Sequence, residues 1–540
     1  MLKGILETVR GLDGKPNVKE LPFKELRRRA ERFGVRTIYG NYNFVSFVKN
    51  RSAGKTVYVG SERVRQRKLN DYQRRVLENL DQTLDLVERY LEKAPLIRVE
   101  RTMGQNDEFT PRCHFYVSVY RPEMIKLAYM VHRTLFDPES YTNGPDLYTI
   151  MIPEWHEKDR QILVFPEIGV TFVLGTDYYG EAKKSFLRMA MWEAKQRGML
   201  GIHAGAKVVR ARDRSGRLRT YGMLIFGLTA TGKTTHTCHS HNLDPNLGEG
   251  IGIIQDDVVF LKKDGSALGP ECGFYLKTEG ITPETQPIIY QAVTKPDTIF
   301  ENVLIDYEGR PHFGDLTLTG NGRGIMQRRD LSPYIWEGVN MPPLDELDGL
   351  VMIFITRRNT IVPIASRLTP TQIAAAFMLG ESIESSGSDP SRAGESVREV
   401  GTNPFIIGDP AEEGNWILDF VKRNEGKVIG CMINTGGVGE ISEFVNGRRV
   451  VRRKAVRPAI SETATIIRGI LRGSVVWEKE PYFNTYVAKS VDGVDMSKFD
   501  ISRYYEESEI RRMVDELKAE RREWLNGFEN LRPEIKRELV

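Results

Sequence analysis

The sequence has few cysteines, no long apolar run and almost no excess of charge of either sign. Its four cysteines, Cys113, Cys238, Cys272 and Cys431, lie far apart and form no C-x-x-C pair. This small number and wide spacing favour free thiols in a reducing compartment. The first residues contain no sustained apolar segment, and no run approaches the length of a membrane span. We therefore expect a cytoplasmic protein that does not bind to membranes.

Basic and acidic residues almost balance, with 77 Lys and Arg against 73 Asp and Glu and a formal net charge of +4. This balance gives no reason to expect nucleic acid or an anionic membrane as a partner. The hydrophobic fraction of 40% is ordinary for a globular protein, and 540 residues allow several domains. The composition therefore predicts a multidomain globular protein without a polyanionic partner.

The clearest motif joins a short apolar run to a glycine-rich loop. The run from Met223 to Phe226 predicts a buried strand. It leads directly into a match to G-x-x-x-x-G-K-[ST], formed by Gly227, Leu228, Thr229, Ala230, Thr231, Gly232, Lys233 and Thr234. In such a phosphate loop (P-loop), successive backbone N–H groups bind phosphate oxygens, the lysine reaches the β- and γ-phosphates, and the hydroxyl binds Mg²⁺. The motif predicts a nucleoside triphosphate site with Mg²⁺ at Thr234.

A second apolar run, Ile251 to Gln255, ends in the paired acids Asp256 and Asp257. Phosphate-loop enzymes commonly place an aspartate at the end of such a strand, where it binds Mg²⁺ or its water. This position therefore favours a functional carboxylate. A zinc site is not favoured between the two motifs, because a helix after the loop would scatter the nearby candidate ligands over different faces. Those candidates are His236, Cys238, His239 and His241.

Three more residues are open to a structural or a functional interpretation. Lys183 and Lys184 begin a predicted amphipathic helix that continues through Trp192, and cations are unfavourable at that end of a helix. They fit a solvated pair or, if burial lowers one pKa, a neutral amine that binds metal. His203, near a predicted strand, fits a structural histidine or a metal ligand. The residues around these three side chains decide between the structural and the functional interpretation.

Taken together, these residues resemble the ATP-dependent phosphoenolpyruvate carboxykinases, in order along most of the chain. The resemblance is densest from Tyr178 to Asp257, where YYGEAKK, IHAGA and QDD are similar to family segments. It implies that Lys184, His203 and Asp257 bind Mn²⁺ and that Tyr178 contacts the substrate. It also implies ATP as the nucleotide and the conversion of oxaloacetate to phosphoenolpyruvate, CO₂ and ADP.

Segments outside this region extend the resemblance. NRS is similar to the family segment that places Arg51 on the substrate carboxylate, and NGR to the one that places Arg323 at the transferred phosphoryl group. ECGFYLKT implies that Lys277 lies near the nucleotide, and VRPAISET implies the same for Arg457 and Thr463. The family resemblance therefore assigns Lys184, Arg323, Lys233 and Arg51 to catalysis.

The resemblance implies an α/β, two-domain carboxykinase-type fold with mixed sheets. Residues 1–203 form the expected substrate-side domain, and residues 204–495 the expected P-loop-containing mononucleotide domain. Residues 496–540, which are highly charged and have helical periodicity, form an expected C-terminal extension. We expect small-molecule substrates and a monomer or small homo-oligomer.

The chain also departs from the family pattern. Thr229-Ala230 stands where the family usually has Ser-Gly, and Gln255 replaces a glycine. An alternative is therefore a carboxykinase-like P-loop kinase that phosphorylates a different small-molecule acceptor. A nucleotide-driven switch or motor is a third possibility, although no glutamate for water activation stands at a strand end and nothing suggests a partner-binding module. ADP formation without oxaloacetate turnover would favour the second, and hydrolysis stimulated by a macromolecule the third.

Overall fold

The computed structural model describes residues 1–66, 68–138, 143–383, 395–445 and 448–538. The fold is mixed α/β with several mixed sheets, as the sequence predicted. The chain divides into two compact units and passes between them repeatedly. The first unit comprises Met1–Gly201, Leu268–Ser332 and Phe405–Gly408, and the second comprises Ile202–Ala267, Pro333–Pro404 and Asp409–Val540.

The first unit is built on a mixed seven-stranded sheet. Its central strands are mostly apolar and, as in Val170–Leu174, buried along their length, because both faces of the sheet are covered. Arg112–Ser118 pairs antiparallel with Leu96–Thr102 and parallel with Asp146–Ile152. In spatial order the strands are Val18–Glu20, Leu96–Thr102, Arg112–Ser118, Asp146–Ile152, Val170–Leu174, Gln161–Phe165 and Thr56–Tyr58.

A second sheet of the first unit contains five strands. Two of them, Gly273–Lys277 and Arg323–Gln327, are antiparallel neighbours that place Lys277 opposite Arg323. In spatial order the strands are Gly273–Lys277, Arg323–Gln327, Ile299–Glu301, Tyr42–Phe44 and Val35–Arg36. A separate short pair consists of Leu304–Ile305 and Pro311–His312.

The helices of the first unit are mostly amphipathic, but Tyr179–Gln196 is buried almost all round. The sequence predicted one apolar face for it, whereas Glu181, Lys183, Lys184 and Arg188 are also buried. A helix that buries charged residues must supply each with a partner or a function. The helices are Leu2–Arg10, Phe23–Glu31, Asp71–Glu78, Leu80–Leu91, Ile125–Thr134, Tyr179–Gln196 and Pro287–Val293.

The second unit is organised around a mixed eight-stranded sheet. The predicted strand at Met223 to Phe226 is confirmed as part of Leu218–Gly227, where the sheet changes from antiparallel to parallel pairing. One face packs on a large apolar core that includes Ile225, Ile353 and Ile466. In spatial order the strands are Gly250–Gln255, Ala204–Arg212, Leu218–Gly227, Gly349–Thr356, Val428–Asn434, Ala365–Leu368, Tyr486–Ser490 and Val476–Lys479.

Strand register brings the predicted functional residues of this unit to one edge of the sheet. Ala204 lies opposite Phe226, and Ala206 lies opposite Gln255. The residues that flank these positions, His203 and Asp257, therefore lie at the same edge as the phosphate loop. The parallel strands Gly349–Thr356 and Val428–Asn434 also end there, because Thr356 pairs with Asn434. This edge is where open α/β sheets bind ligands.

The other elements of the second unit surround this sheet. Its helices are Lys233–Cys238, Pro370–Leu379, Pro410–Arg423, Ile460–Arg472, Glu507–Asn526 and Pro533–Lys536. Additional strands are Val259–Leu261, the pair Glu381–Ile383 and Ser396–Arg398, and the pair Ile441–Val445 and Arg448–Arg453. Two short strands, Leu200–Ile202 and Ala267–Leu268, lie where the chain passes from one unit to the other. Within the described ranges, no helix is long and apolar enough to cross a membrane.

Five charged side chains of the second unit form what we call the Glu381 cluster: Arg358, Arg398, Arg521, Glu381 and Glu520. Glu381 accepts hydrogen bonds from Arg358 Nη2 at 3.0 Å and from Arg521 Nε at 3.2 Å. Glu520 accepts from Arg398 Nη2 at 2.9 Å. Burial opposes ionisation of Glu381, but the arginines hold its pKa well below the usual range. The cluster ties the helix Glu507–Asn526 to the rest of the unit.

Candidate active site

The predicted site residues divide between the two units. In the second unit, the phosphate loop runs from the end of strand Leu218–Gly227 to the six-residue helix Lys233–Cys238. Gly232 has a φ of 108°, and Ala230 has a φ of 64°, which is the left-handed region. Glycine adopts this region without penalty, whereas the Cβ of alanine makes it unfavourable. The Ala230 departure from the family pattern therefore introduces backbone strain into the loop.

Neighbouring strand ends fix the backbone of the loop. The Thr435 hydroxyl donates to the Thr231 carbonyl at 2.8 Å, and Arg357 Nη1 donates to the Ala230 carbonyl at 3.3 Å. Gly436 follows Thr435, and a Cβ at this glycine would lie 2.2 Å from the Arg358 carbonyl oxygen. Only glycine fits this close approach. The strand ends thus determine the conformation that the loop presents to a ligand.

His203, Asp257 and Lys233 come together beside the loop. His203 Nε2 lies 2.9 Å from Asp257 Oδ1. The Lys233 ammonium lies 3.1 Å from each of these two atoms. A lysine ammonium only donates hydrogen bonds, so both atoms act as its acceptors. Two acceptors that converge on one cation form a suitable pair of ligands for a divalent metal.

The backbone determines which nitrogen of His203 faces Asp257. His203 Nδ1 lies 2.6 Å from the Thr402 carbonyl oxygen, which can only accept, so Nδ1 carries a proton. A neutral imidazole then has its lone pair on Nε2, as metal ligation requires. Thr402 has a φ of 51°, a conformation that is unusual for a β-branched residue and is often found at functional sites. These features favour a ligand over a purely structural histidine.

No described group of three or more His, Cys, Asp or Glu side chains has a metal-binding arrangement. Inside the unit, the ring of His241 stacks with the rings of His236 and His239. Burial lowers the pKa of His236 to about 3 and that of His239 to about 4, so both are neutral near pH 7. They form a packed aromatic group behind the loop.

In the first unit, three basic side chains approach the ring of Phe405. The distances to the ring centroid are 4.3 Å from the Arg51 guanidinium carbon, 4.7 Å from the Lys184 ammonium and 5.8 Å from the Arg188 guanidinium carbon. We call these four residues the Phe405 cluster. Burial lowers the pKa of Arg51, an effect that Glu181 offsets and Arg188 reinforces. Arg51 and Lys184, both predicted site residues, are therefore neighbours.

The two adjacent lysines have different surroundings. Lys183 Nζ lies 3.2 Å from Glu271 Oε2, and both side chains are about 1% exposed. Successive helix positions point about 100° apart, so only Lys184 reaches the Phe405 ring. The solvated-pair interpretation is wrong because both lysines are buried.

Two other predicted residues of the first unit form a hydrogen-bonded chain. Asn321 Nδ2 donates to the Tyr178 hydroxyl at 3.2 Å, and Arg323 Nε donates to Asn321 Oδ1 at 3.0 Å. Asn321 thus fixes both side chains. Lys277, opposite Arg323 in the sheet, forms an ion pair with Glu279.

The remaining predicted nucleotide residues lie in the second unit. Val438 and Val456 exchange backbone hydrogen bonds of 3.1 and 2.8 Å, which places Arg457 beside the turn after Thr435. Thr463 is 1% exposed, and its hydroxyl donates to the Ala459 carbonyl within its own helix. The nucleotide contacts of Arg457 and Thr463 stay predictions.

Sequence reasoning missed Arg188, Phe405 and Thr402. Arg188 follows Lys184 by four residues, which places both on one helix face, so its position could have been noticed. Phe405 and Thr402 carry no local signal, because they lie about 200 residues or more along the chain from the side chains that they contact.

Comparison with known proteins agrees with this geometry. A family model described as phosphoenolpyruvate carboxykinase matches residues 15–497. The phosphoenolpyruvate carboxykinase (ATP) of Aeropyrum pernix is 33% identical over 443 residues, which is 81% of this chain and 82% of that protein. The protein of the same name from Rhizobium rhizogenes is 28% identical over 357 residues, 64% of this chain and 60% of that protein. The chain belongs to the ATP-dependent phosphoenolpyruvate carboxykinase family.

Proposed function

We propose that this chain uses ATP to convert oxaloacetate to phosphoenolpyruvate, CO₂ and ADP. The observation that carries the proposal is the convergence of His203 Nε2 and Asp257 Oδ1, 2.9 Å apart, beside a phosphate loop. Carboxykinase chemistry needs a cation at an enolate next to a triphosphate, and this edge of the sheet offers ligands for both.

The residues of this edge fit a divalent cation, because a neutral imidazole and a carboxylate face the same point. His203 and Asp257 would hold Mn²⁺, with Lys184 as the predicted third ligand, and Thr234 would hold Mg²⁺ with the nucleotide. Members of the family use ATP and such metal ions. When bound, the cation supplies positive charge that stabilises the enolate oxygen.

The other side chains bind and orient the reactants. Arg51 and Tyr178 would hold oxaloacetate so that the bond to the departing carboxylate is aligned for cleavage. That bond breaks, its electron pair forms the enolate, and the enolate oxygen attacks the γ-phosphorus as ADP leaves. No general base is needed, because decarboxylation generates the nucleophile. Lys233 and Arg323 would neutralise charge on the transferred phosphoryl group.

The detailed domain assignment is part of this proposal. Residues 204–495 would act as the P-loop-containing mononucleotide domain, residues 1–203 as the substrate-side domain and residues 496–540 as a helical extension. The nucleotide-binding role of Lys277, the cytoplasmic location and the monomeric or small oligomeric state also stay predictions.

Ala230 favours a second candidate function. Its φ of 64° and its Cβ change the surface that the loop presents to phosphate. A kinase of the same architecture that phosphorylates another small acid or alcohol would fit such a changed loop. It would form ADP with that acceptor and none with oxaloacetate.

The test is a direct assay of phosphoenolpyruvate. The purified protein is incubated with oxaloacetate, ATP, Mg²⁺ and Mn²⁺, beside Lys184→Ala and the control Lys3→Ala, whose side chain is 90% exposed in the same unit. We expect product from the wild type and the control, and a loss of about 10³-fold in kcat for Lys184→Ala. Absence of product despite ATP binding would contradict the proposal and favour the second candidate.

A further inference from the structure

Most of the C-terminal extension lies outside the segment that the family model matches, which ends at residue 497. Its main helix, Glu507–Asn526, buries apolar side chains such as Ile510, which anchor it to the second unit. The same helix buries Arg521, which is 0% exposed and forms an ion pair with Glu381. A buried salt bridge gains little stability over an apolar contact, because both ions lose their water. We therefore expect the pair to do more than anchor the helix.

Glu381 begins a short strand that is attached to the end of a central strand of the sheet. The Thr356 hydroxyl donates to the Glu381 carbonyl at 2.8 Å, and the Ile383 N–H donates to the Arg357 carbonyl at 3.0 Å. Arg357 Nη1 in turn donates to the Ala230 carbonyl at 3.3 Å. The strand that begins at Glu381 is thus connected to the backbone of the phosphate loop through one intermediate segment.

The residue before Glu381 supports the turn that orients His203. The Glu399 N–H donates to the Gly380 carbonyl at 3.2 Å, and a Cβ at Gly380 would overlap the Glu399 carbonyl oxygen, so the two backbones are in close contact. The Glu399 carbonyl accepts from the Thr402 N–H at 2.8 Å within the turn. The Thr402 carbonyl then accepts from His203 Nδ1. A shift of the strand at Glu381 would therefore move the group that orients this predicted metal ligand.

Packing alone does not fix this junction. A cavity of about 20 Å³ lies between Thr356, Gly380, Glu381 and Thr402, and its other walls are mainly apolar. Groups beside a void lose van der Waals contacts on one side, so packing holds them less firmly. The pair between Arg521 and Glu381 supplies a directed, charge-assisted contact at the wall of this cavity. Its removal would allow the strand and the turn to move.

We propose that Arg521 is a positioning residue for the nucleotide and metal site of the second unit. It holds the Glu381 carboxylate, and the strand that begins there supports both the turn at Thr402 and the segment that contacts the phosphate loop. The extension is thereby a working part of the site, although most of it lies outside the matched family segment. This role rests on the proposed function, which assigns His203 to a metal ion and the loop to ATP.

The test measures affinities as well as activity. Mn²⁺ binding is followed by electron paramagnetic resonance and Mg²⁺–ATP binding by isothermal titration calorimetry, at a temperature well below the melting temperature of each variant. We expect Arg521→Met to weaken both affinities about 3- to 30-fold, which is the range for substitutions that act through intermediate residues. The variant should also be less stable, because Glu381 loses a cation.

Ile510→Ala is the matched control for stability. Ile510 is 2% exposed in the same helix and lies about 16 Å from Arg521 along the helix axis. Its substitution leaves a cavity and should lower the melting temperature. Both affinities should match the wild type, because the contact with Glu381 is kept. Arg521→Lys retains the charge without the planar guanidinium and should recover part of the affinity.

Unchanged affinities in a folded but less stable Arg521→Met would overturn the inference, because they would limit Arg521 to anchoring the helix. Equal weakening in Ile510→Ala would also overturn it, since any loss of stability would then weaken binding. If Arg521→Met does not fold, Arg521→Lys carries the test. Weakened affinities in Arg521→Lys would support the positioning role, and wild-type affinities would overturn it.

The KM for oxaloacetate separates this role from a general defect. The residues predicted to bind oxaloacetate, Arg51 and Tyr178, belong to the first unit, so Arg521→Met should leave this KM within about twofold. A wild type that binds Mn²⁺ and ATP but makes no phosphoenolpyruvate would contradict the proposed reaction, and a loss of affinity in Arg521→Met would still support the positioning role. A wild type that binds neither would overturn both.

Discussion

The Glu381 cluster and the Phe405 cluster each contain three basic side chains that are buried or half-buried, but their arginines have different partners. In the second unit, the protein provides Glu381 and Glu520, and every arginine of the cluster donates to a carboxylate. In the first unit, no carboxylate among the described residues forms an ion pair with Arg51 or Arg188, and the Nε atoms of both are buried without a hydrogen bond. Arg358 and Arg398 also have a buried Nε without a hydrogen bond, so the two clusters differ in their carboxylate partners. Cations paired within the protein hold the fold together, whereas the unpaired guanidinium group of Arg51 fits its predicted role of binding a substrate carboxylate.

Lys207 shows a third way to bury a basic group. Its side chain is fully buried, and its amine donates to the carbonyls of His236 and His239 at 2.6 and 2.9 Å. Burial lowers its pKa to about 7. A pKa near 7 leaves Lys207 only partly protonated at neutral pH, which reduces the cost of burial without a carboxylate or a ligand.

The largest effect on stability is expected for Glu381→Gln, which breaks the balanced cluster. The change leaves three guanidinium groups around a neutral side chain and should destabilise the second unit by about 3–5 kcal/mol. Thermal unfolding followed by calorimetry measures the loss. Glu516→Gln on the helix Glu507–Asn526 is the control, because its pair with Arg512 is 58–64% exposed and should contribute at most about 1 kcal/mol. Similar losses for both variants would contradict the structural role of the cluster.

A matched pair of arginine substitutions tests the comparison directly. Arg521 and Arg188 are 0% and 2% exposed, so both replacements by Met remove a buried charge of the same size. Arg521→Met should destabilise by about 2 kcal/mol or more, because it leaves Glu381 with one cation fewer. Arg188→Met should change stability by less than about 1 kcal/mol, or increase it, because it removes an uncompensated charge. The free energy of unfolding, measured without added carboxylates, tests both variants. Equal losses of stability would contradict the distinction between the two clusters.

Lys207→Met tests the lowered pKa of Lys207 through the pH dependence of stability. The folded amine loses its proton near pH 7, whereas the unfolded one keeps it to about pH 10.5. Between these values the unfolded state binds more protons, so the wild type gains stability as pH rises. The advantage of Lys207→Met over the wild type should therefore be greatest near pH 7 and shrink toward pH 10. Melting temperatures across this range measure it, with the exposed Lys489→Met as control. A difference that does not vary with pH would show that Lys207 stays charged.

The smallest effect is expected for Ala230→Gly, which changes no charge. Relief of the left-handed conformation gains about 1–2 kcal/mol, and the added flexibility of glycine costs about 0.5–1 kcal/mol. The variant should therefore be slightly more stable than the wild type. Ala519→Gly, on an exposed face of helix Glu507–Asn526, should instead lose about 1 kcal/mol. Unfolding midpoints compare the two, and a loss at both positions would contradict strain at Ala230.

The sequence predicted the sheet edge of the second unit well. An apolar run followed by a glycine-rich loop identified Leu218–Gly227, and one followed by paired acids identified Gly250–Gln255. Both were visible in the sequence because each functional end directly follows its own strand. It did not show that Ala204–Arg212 lies between these two strands, since pairing depends on register rather than composition. Residues at strand ends were therefore easier to predict than the order of the strands.

Long-range charge pairing could not be predicted in the same way. Glu381 and Arg521 are separated by 140 residues, and both look like ordinary surface residues in the sequence. Phe405 gave no signal because an aromatic ring becomes part of a cation site only after folding. The difference between the two clusters is thus a property of the tertiary structure, because packing determines which charged side chains lie close together.

The place of strand Leu218–Gly227 in its sheet also affects the order in which the protein folds. Its hairpin partner Ala204–Arg212 is adjacent in sequence and can pair early. Its parallel partner, Gly349–Thr356, is synthesised only after Leu268–Ser332, which folds into the other unit. Thr435, whose hydroxyl holds the loop at Thr231, is synthesised later still. A ribosome-bound chain therefore carries the phosphate loop long before the loop can reach its final shape, so nucleotide can help to fold this unit only near the end of synthesis.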